Sequence, residues 1–326
     1  MTGVPGLTVG GALARVGAGD AEALEGRGLN ASYRVAYGGR PYAVKVHCPE
    51  RSSVGEFRRI ERVDAALRAL PWYPPVLDLG FAPGPRPRLV VVRPYAPGAA
   101  SDDARQHIAR VVDVLADLAA RGRGVAVEEE LIGDYASPWV ADARAERSLA
   151  EPFLTGEWGA LGCAVDEHLA ELRAGAVRLT RPDGVLVHHG DLHGRNLVSD
   201  GSRALTVIDW DEAGFSRRPA DAGKALWLSC RLGRGDFVLD GRAVGRFLER
   251  LHARLGLPYA NAVDLARLGA LWFLPRHGHV TLLGRRDADL GTWYLGWVLR
   301  FWTRFRRNLE VVAEAAAERA AGRSAG

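Results

Sequence analysis

In the stretch His189-Gly-Asp-Leu-His-Gly-Arg-Asn196, a carboxylate follows a histidine by two positions and an amide follows that carboxylate by five. A second carboxylate, Asp209, comes directly after the apolar run Ala204–Ile208. One carboxylate can orient and deprotonate a hydroxyl, while the amide and the second carboxylate can hold Mg²⁺ against the phosphates of a nucleotide. The stretch therefore indicates chemistry in which a phosphoryl group passes from a nucleotide to a hydroxyl.

The segments around this stretch predict how its side chains meet. An apolar strand ends just before Asp191, and a turn at Asp200-Gly201 separates it from the strand that ends at Asp209. Such a hairpin would bring Asp191, Asn196 and Asp209 around one point. Because Asp209 lies between an apolar strand and Trp210, we expect it to be partly buried and to have a cation as its partner.

The lysines are the second informative feature. Of the 43 basic residues only Lys45 and Lys224 are lysines, and the others are arginines. A compact ammonium and a planar guanidinium differ most where a phosphate must be approached closely. Lys45 lies in the β-rich segment Tyr42–Val46, which together with Ala31–Ala36 predicts a hairpin turning at Gly38-Gly39.

The next segments predict a helix and then a hinge. Ser53-Val-Gly-Glu56 is typical of a capped helix start, and the apolar spacing continues to Leu70, before Pro71. Arg88–Arg93 reads as a buried strand that runs into Pro94-Tyr-Ala-Pro-Gly98. Such a break is typical of a hinge between lobes, and a plain loop fits these residues equally well.

The rest of the chain reads as mainly helical. Its tryptophans occupy apolar helical positions, which favours a packed core over a ligand cage, and we expect the Ala-rich end, Val311–Gly326, to fray. Helices are predicted at Ser101–Arg121, Trp158–Leu172 and over most of the chain after Ala222.

Together these motifs resemble the catalytic core of the aminoglycoside phosphotransferase and choline kinase branch of the protein-kinase-like fold. The resemblance implies an α+β, bilobal fold. A small β-rich N-lobe over residues 1–97 would bind the nucleotide, and a larger helical C-lobe over residues 98–326 would carry the catalytic loop and the substrate-binding helices.

The resemblance also implies roles for the motif residues. Asp191 would be the catalytic base, and Arg195 would offset charge on the transferring phosphoryl group. Asn196 and Asp209 would be the Mg²⁺ ligands, so the implied cofactors are ATP and Mg²⁺.

For the nucleotide, the resemblance implies contacts from the strand lysine, the hinge and the glycine-bearing loop Gly26-Arg-Gly28-Leu-Asn-Ala-Ser32, which leads into the first strand of the hairpin. A helix glutamate would pair with Lys45, and both Glu56 and Glu61 stay open for that role. The implied nucleotide-binding residues are Gly28, Asn30, Ser32, Lys45, Glu56 or Glu61, Pro94 and Ala96.

Two interpretations from other classes compete with this one. The cluster His188, His189, Asp191 and His193 suggests a metallo-hydrolase, but its spacing is not the His-x-His-x-Asp-His of such sites. A non-catalytic nucleotide-binding module would normally lack one of Lys45, Asp191 or Asp209, and all three are present.

Composition narrows the setting. No apolar run approaches the ~18 residues of a membrane span, the N-terminus does not resemble a secretory signal, and the three cysteines have no metal-like spacing. The net charge of +4 is scattered, apart from a helix face at Arg300, Arg304, Arg306 and Arg307 that we expect to be solvated. We therefore expect a cytoplasmic protein without a nucleic-acid or membrane partner, and the sequence leaves its oligomeric state open.

The acceptor is predicted from charge alone. Residues 128–171 contain eleven acidic residues and two arginines. A carboxylate-lined pocket would favour a cationic acceptor, although a solvated acidic helix face fits the pattern equally well. We expect an ATP-dependent O-phosphotransferase acting on a small cationic molecule, foremost an aminoglycoside-like or peptide antibiotic, with resistance as the result. A choline, amino alcohol or sugar kinase of metabolism is the alternative.

Overall fold

The computed structural model describes residues 6–24, 29–100, 104–132, 184–201, 205–233, 235–274 and 288–324, together with six single residues between 168 and 179. The chain divides into two compact units. The first consists of Met1–Ala99 with Val198–Ile208, and the second of Ala100–Leu197 with Asp209–Gly326.

The first unit is built on a five-stranded antiparallel sheet in the order β1-β2-β3-β5-β4. The predicted hairpin is present, since β2 and β3 join through Gly38 and Gly39, whose φ angles of 56° and 74° suit a tight turn between twisted strands. The strands are β1 (Ala21–Ala23), β2 (Ala31–Tyr37), β3 (Arg40–Val46), β4 (Asp78–Ala82) and β5 (Arg88–Pro94).

Two helices cover this sheet. Helix α1 (Val9–Ala18), which the sequence did not predict, begins where the Thr8 hydroxyl accepts the N–H of Gly11 and the Asp78 carboxylate accepts the N–H of Val9 at 2.7 Å. Helix α2 (Val54–Leu67) begins as predicted, with the Ser53 hydroxyl accepting the N–H of Glu56 at 3.1 Å, and it ends three residues before the predicted Leu70.

A second, small sheet explains why residues 198–208 belong to the first unit rather than to the predicted range 98–326. Strands β6 (Ala99–Ala100), β8 (Leu197–Ser199) and β9 (Thr206–Val207) pair in the order β6-β8-β9. Gly98, with φ of 115°, lies so close to this sheet that a Cβ atom there would be 2.2 Å from the carbonyl oxygen of Ser199. The segment that begins at Val198 therefore packs beside the short strand that follows Gly98.

The second unit is mainly helical, as expected. The hairpin of β11 (Arg231–Gly233) and β12 (Asp236–Leu239) was not predicted. The expected fraying after Val311 is wrong as far as Ser324, because the last helix continues to that residue, with Val312, Ala315 and Ala316 buried along it. A 3₁₀ turn, Ala104–His107, precedes α3 where the sequence predicted one continuous helix. Most of the helix predicted at Trp158–Leu172 lies outside the described residues. The elements are α3 (Ile108–Gly122), β7 (Leu186–His188), β10 (Gly214–Ser216), α4 (Ala220–Ser229), β11 (Arg231–Gly233), β12 (Asp236–Leu239), α5 (Gly241–Leu255), α6 (Ala262–Ala270) and α7 (Ala288–Ser324).

Aromatic side chains fill the core of this unit, as the helical spacing predicted. Trp227 is fully buried and its indole N–H donates to the carbonyl of Ala266, while the indole N–H of Trp302 donates to the carbonyl of Phe273, each at 2.8 Å. Among the five tryptophans described after Ala222, Trp293 is exposed, at 39%, and Trp272 and Trp297 are half-buried. The four arginines at positions 300, 304, 306 and 307 are exposed, as expected of a solvated face.

No helix among the described residues is both long and apolar enough to cross a membrane. Cys48 and Cys230 are free, buried thiols, and burial raises the pKa of each.

Candidate active site

The loop after strand β7 holds its own shape through its histidines. The Nδ1 atom of His189 accepts the N–H of Asp191 at 3.2 Å, and the Nδ1 atom of His193 accepts the N–H of Arg195 at 3.1 Å. Each histidine thus satisfies a backbone donor two residues further along the loop. We call residues 189–196 the catalytic loop, after the role predicted above for Asp191.

Asp221, at the start of helix α4, anchors this loop through its side chain. Its buried carboxylate accepts the N–H of His189 at 2.8 Å and that of Gly190 at 3.2 Å. Burial raises the pKa of Asp221, although His189 and these backbone bonds oppose the shift. Both of these hydrogen bonds are to backbone groups of the loop, which gives Asp221 a structural role.

Asn196 closes the loop on itself. Its side-chain N–H donates to the carbonyl of Asp191 at 2.8 Å, and the residue is only 8% exposed. Because the amide nitrogen is engaged within the loop, the amide oxygen is the atom that can coordinate a cation.

The carboxylate of Asp191 is paired with Lys224, a contact that the sequence did not predict. The Lys224 Nζ atom lies 2.7 Å from Asp191 Oδ1 and 2.6 Å from the carbonyl oxygen of Gly190, and 3.4 Å from the centre of the Trp272 ring. Burial acts to raise the pKa of Asp191, but the ammonium of Lys224 and the imidazole of His193 outweigh it and hold that pKa well below its usual range. Burial lowers the pKa of Lys224. The rarity of lysine in this chain was the signal that could have singled out Lys224.

Asp209 has an unusual backbone conformation. With φ of 65° and ψ of 61°, it is the one non-glycine residue with positive φ in the part of the chain that the structure describes. Such conformations are strained and gather at functional sites. The expectation of partial burial is wrong: strand β9 ends at Val207 and the left-handed turn leaves Asp209 exposed, while Trp210 is the buried residue.

Two contacts tie the segment after Asp209 to the catalytic loop. The rings of Trp210 and His189 lie 4.5 Å apart, and strand β10 pairs with β7 so that Gly214 lies opposite His188. The catalytic loop and this segment therefore form one local structure within the second unit.

The oxygen donors of Asn196 and Asp209 suit Mg²⁺, which binds through one or two protein ligands and the phosphates of its substrate. Among the described residues, no group of three or more His, Cys, Asp and Glu side chains is placed to hold a metal. The cluster at positions 188, 189, 191 and 193 is therefore not a zinc site, and the metallo-hydrolase interpretation is wrong.

The predicted phosphate-binding residues belong to the first unit. Gly28 lies outside the described residues. Asn30 Oδ1 accepts the N–H of Cys48 at 3.0 Å, which ties the end of the glycine-bearing loop to the end of β3. Ser32 on β2 lies directly opposite Lys45 on β3. Lys45 is half-buried.

The two candidate partners of Lys45 differ in their surroundings. Glu56 accepts hydrogen bonds from two guanidinium nitrogens of Arg59 and lies 4.0 Å from Nδ1 of His47. Glu61 is exposed on helix α2. The pairing of either with Lys45 stays a prediction.

The predicted hinge offers few backbone groups to a base. Pro94 ends β5 and has no N–H, and the N–H of Tyr95 donates to the carbonyl of Pro41 at 3.3 Å. The carbonyl of Pro94 and the backbone of Ala96 are the groups that the prediction retains.

Arginines from elsewhere in the second unit neutralise part of the acidic segment. Glu129 pairs with Arg217 at 2.6 Å, and Glu171 pairs with Arg267 at 3.1 Å. Most of the other acidic residues counted there lie outside the described residues, and the preference for a cationic acceptor stays a prediction.

The model of the phosphotransferase enzyme family matches residues 20–256 of the chain, and none of the curated proteins matches it. Among solved structures, a microcompartment-associated aminopropanol kinase is similar with a TM-score of 0.67 and 20% identity, over 92% of this chain and 98% of that one. A thermostable mutant of an aminoglycoside phosphotransferase, in a ternary complex with ADP and hygromycin B, is similar with a TM-score of 0.55 and 16% identity, over 93% of this chain and 97% of that one. An ethanolamine kinase of Plasmodium vivax is similar with a TM-score of 0.57 and 12% identity, over 89% of this chain and 84% of that one.

These similarities confirm the predicted α+β, protein-kinase-like fold with an antiparallel N-terminal sheet and a helical C-terminal part. Because the family model spans well over half of the residues, this chain belongs to the phosphotransferase enzyme family and is a small-molecule phosphotransferase.

Proposed function

We propose that the protein transfers the γ-phosphate of ATP to a hydroxyl group of a small, amine-bearing molecule, with Mg²⁺ as the second cofactor. The observation that carries this proposal is the carboxylate of Asp191, which is kept ionised by Lys224 in a loop anchored on Asp221. Because the Asp191 carboxylate is ionised, it can accept the proton of an acceptor hydroxyl.

In the proposed reaction the acceptor hydroxyl donates a hydrogen bond to Asp191. The hydroxyl oxygen forms a bond to the γ-phosphorus while the bond from that phosphorus to the bridging oxygen breaks, and its electron pair leaves with ADP. The hydroxyl proton passes to the Asp191 carboxylate. Since phosphoryl transfer passes through a loose transition state, a weak base that mainly orients the nucleophile is sufficient.

The other predicted residues supply charge and position. Asn196 and Asp209 would hold Mg²⁺, which neutralises charge on the phosphates when bound. Arg195 would offset charge on the transferring group, and in the first unit Lys45 would contact the inner phosphates.

The similarity to kinases of amine-bearing molecules supports an amine group in the acceptor of this protein. The aminopropanol kinase, the ethanolamine kinase and the aminoglycoside phosphotransferase are named for molecules that carry both an amine and a hydroxyl. Two acceptor classes fit that description, a cationic antibiotic and an amino alcohol of metabolism. We retain both, with antibiotic resistance as the physiological role if the first is correct.

Release of ADP by the purified protein, with Mg²⁺ and a panel of aminoglycosides, peptide antibiotics, amino alcohols and neutral sugars, tests the proposal. We expect turnover with at least one amine-bearing acceptor and a phosphate ester on its hydroxyl by mass spectrometry. Turnover with neutral sugars alone would show that the amine is not recognised. ATP binding without transfer to any acceptor would instead favour a nucleotide-binding module.

A further inference from the structure

Lys224 is a buried cation whose three donors are all engaged. The side chain is 3% exposed, and its Nζ atom contacts the Asp191 carboxylate, the Gly190 carbonyl and the face of the Trp272 ring. An ammonium has three N–H groups, and two hydrogen bonds and one cation–π contact account for them. Lys224 therefore has no donor left for a phosphate while these contacts persist.

We propose that Lys224 is a positioning residue for phosphoryl transfer: it holds Oδ1 of Asp191 so that Oδ2 receives the hydroxyl proton of the acceptor. This role rests on the function proposed above. The two oxygens of Asp191 differ in their contacts, because Oδ1 lies 2.7 Å from Lys224, whereas Oδ2 lies 3.6 Å from Nε2 of His193 and 3.5 Å from Nδ2 of Asn196. Contacts as long as those of Oδ2 are weak and can give way to a substrate hydroxyl.

Helix α4 holds Lys224 in a fixed position relative to the catalytic loop. Asp221 and Lys224 are three residues apart and so share one face of the helix. Asp221 binds two N–H groups of the catalytic loop, while Lys224 binds a carbonyl of the same loop and the carboxylate of Asp191. Two N–H groups of the loop thus face the negative charge of Asp221, while a carbonyl and the Asp191 carboxylate face the positive charge of Lys224, all on a single helical turn.

The chemistry of this site also explains why a lysine stands here in a chain that otherwise uses arginine. A guanidinium carries five N–H donors in a plane, and the surroundings of Nζ offer two oxygen acceptors and one ring face. An arginine would leave buried donors without partners, which is unfavourable. The rarity of lysine and the geometry of the site therefore agree.

The two lysines permit a direct test that needs no acceptor. Protein labelled with ¹⁵N at the lysine side chains should give two ammonium signals, and Lys224→Met identifies the one from Lys224. We expect Asp191→Asn to shift the Lys224 signal, and ADP with Mg²⁺ to shift the Lys45 signal far more than that of Lys224. A Lys224 signal that ignores Asp191→Asn would overturn the proposal.

Kinetics test the consequence for catalysis. In Lys224→Met, kcat should fall by about 10- to 100-fold, the loss that a small misplacement of a catalytic group brings, while the KM for ATP and the nucleotide Kd change by no more than about threefold. Asn308→Leu is a matched control, because Asn308 is also 3% exposed and bonds the backbone of Leu239 and Phe237. It should lower thermal stability and leave kcat unchanged.

A folded Lys224→Met protein with kcat within twofold of the wild type would refute the positioning role and leave the proposed function intact. If Lys224→Met does not fold, Lys45→Met identifies the Lys224 signal by elimination, and the shift of that signal on Asp191→Asn decides the question. A wild-type protein without turnover on any acceptor would refute the proposed function, and with it this role of Lys224.

Discussion

The carboxylate of Asp221 accepts the backbone N–H of His189 at 2.8 Å, across a sequence separation of 32 residues. Its second oxygen accepts the next N–H, that of Gly190. Asp221→Ala would leave both donors buried without partners, at about 1–3 kcal/mol each. We expect the free energy of unfolding in urea to fall by roughly 2–4 kcal/mol and kcat to fall at least about tenfold, because the loop that carries Asp191 loses its anchor.

Asp240 provides the matched control for this prediction. It also accepts two backbone N–H groups, those of Arg242 and Ala243, but at the start of helix α5. Asp240→Ala should lower stability by about 0.5–2 kcal/mol, as expected for the loss of an N-cap, with no change in kcat. If both variants lost turnover equally, Asp221 would have no special effect on the catalytic loop.

Asp191→Asn removes the proposed base and keeps its shape. We expect kcat to fall by about two to four orders of magnitude and the nucleotide Kd, measured by calorimetry, to stay nearly unchanged. The exposed Asp200, nine residues further along the chain, is a carboxylate outside the proposed site, and Asp200→Asn should retain full turnover. Loss of nucleotide binding together with a lower Tm in Asp191→Asn would indicate misfolding rather than loss of a base.

Asp209→Asn tests the proposed metal ligand with little disturbance of the backbone. Asparagine tolerates the left-handed conformation that Asp209 adopts at φ 65°, so the variant should fold. Replacing a carboxylate by a neutral amide weakens binding of a hard cation. The Mg²⁺ concentration that gives half-maximal turnover should rise by at least about tenfold. Dependence on Mg²⁺ equal to that of the wild type would exclude Asp209 as a ligand.

Local chemistry made much of the fold and of the catalytic loop predictable. The hairpin at Gly38-Gly39 depends on two residues that favour positive φ, and the start of helix α2 depends on the Ser53 cap, so both are visible in a short window. The start of α1 was missed because the Thr8 cap is completed by Asp78, which lies on a distant strand.

The same distinction applies to the site. The contact between Lys224 and Asp191 exists only because α4 packs closely against α6 and carries Lys224 to the catalytic loop. No local pattern encodes such a contact. The exposure of Asp209 likewise depends on where β9 ends. The apolar run predicted a strand up to Ile208, but the strand ends at Val207.

Asp264 should make the stability of the protein depend on pH. Hydrogen bonds from Arg178, and then from Arg267, hold the pKa of Asp264 below its usual value. A depressed folded-state pKa contributes stability that is present above the unfolded value of about 3.9 and is lost as the pH falls through the folded value. Because Arg178 is half-exposed, Asp264→Asn should lower stability at pH 7 by only about 0.5–1 kcal/mol.

Unfolding curves at several pH values check this prediction. The difference between the wild type and Asp264→Asn should begin to narrow below about pH 4, where the unfolded state takes up a proton first. It should close once the pH falls below the depressed folded-state pKa, because the carboxyl is then neutral in both states. A difference that is constant from pH 7 to pH 3 would mean that the charge of Asp264 does not contribute.

Gly223→Ala tests whether close packing of α4 on α6 keeps the site in place. A Cβ atom at Gly223 would lie 2.3 Å from the carbonyl oxygen of Leu265, and one at Gly269 would lie 2.2 Å from the carbonyl carbon of Gly223. These neighbours are backbone atoms, so the helices must separate, and overpacking of this kind costs about 1–3 kcal/mol or more. Because α4 carries both Asp221 and Lys224, kcat should fall along with Tm.

Gly17 is the matched control for this substitution. It lies in helix α1, where a Cβ atom would meet nothing within 4 Å, so Gly17→Ala should raise stability by about 0.4–1 kcal/mol. Scanning calorimetry and ADP release on the two variants separate the effects. If Gly223→Ala lost stability and kept kcat, the catalytic loop would hold Asp191 in place without help from α4, whereas a combined loss would show that the spacing of the two helices determines the geometry of the base.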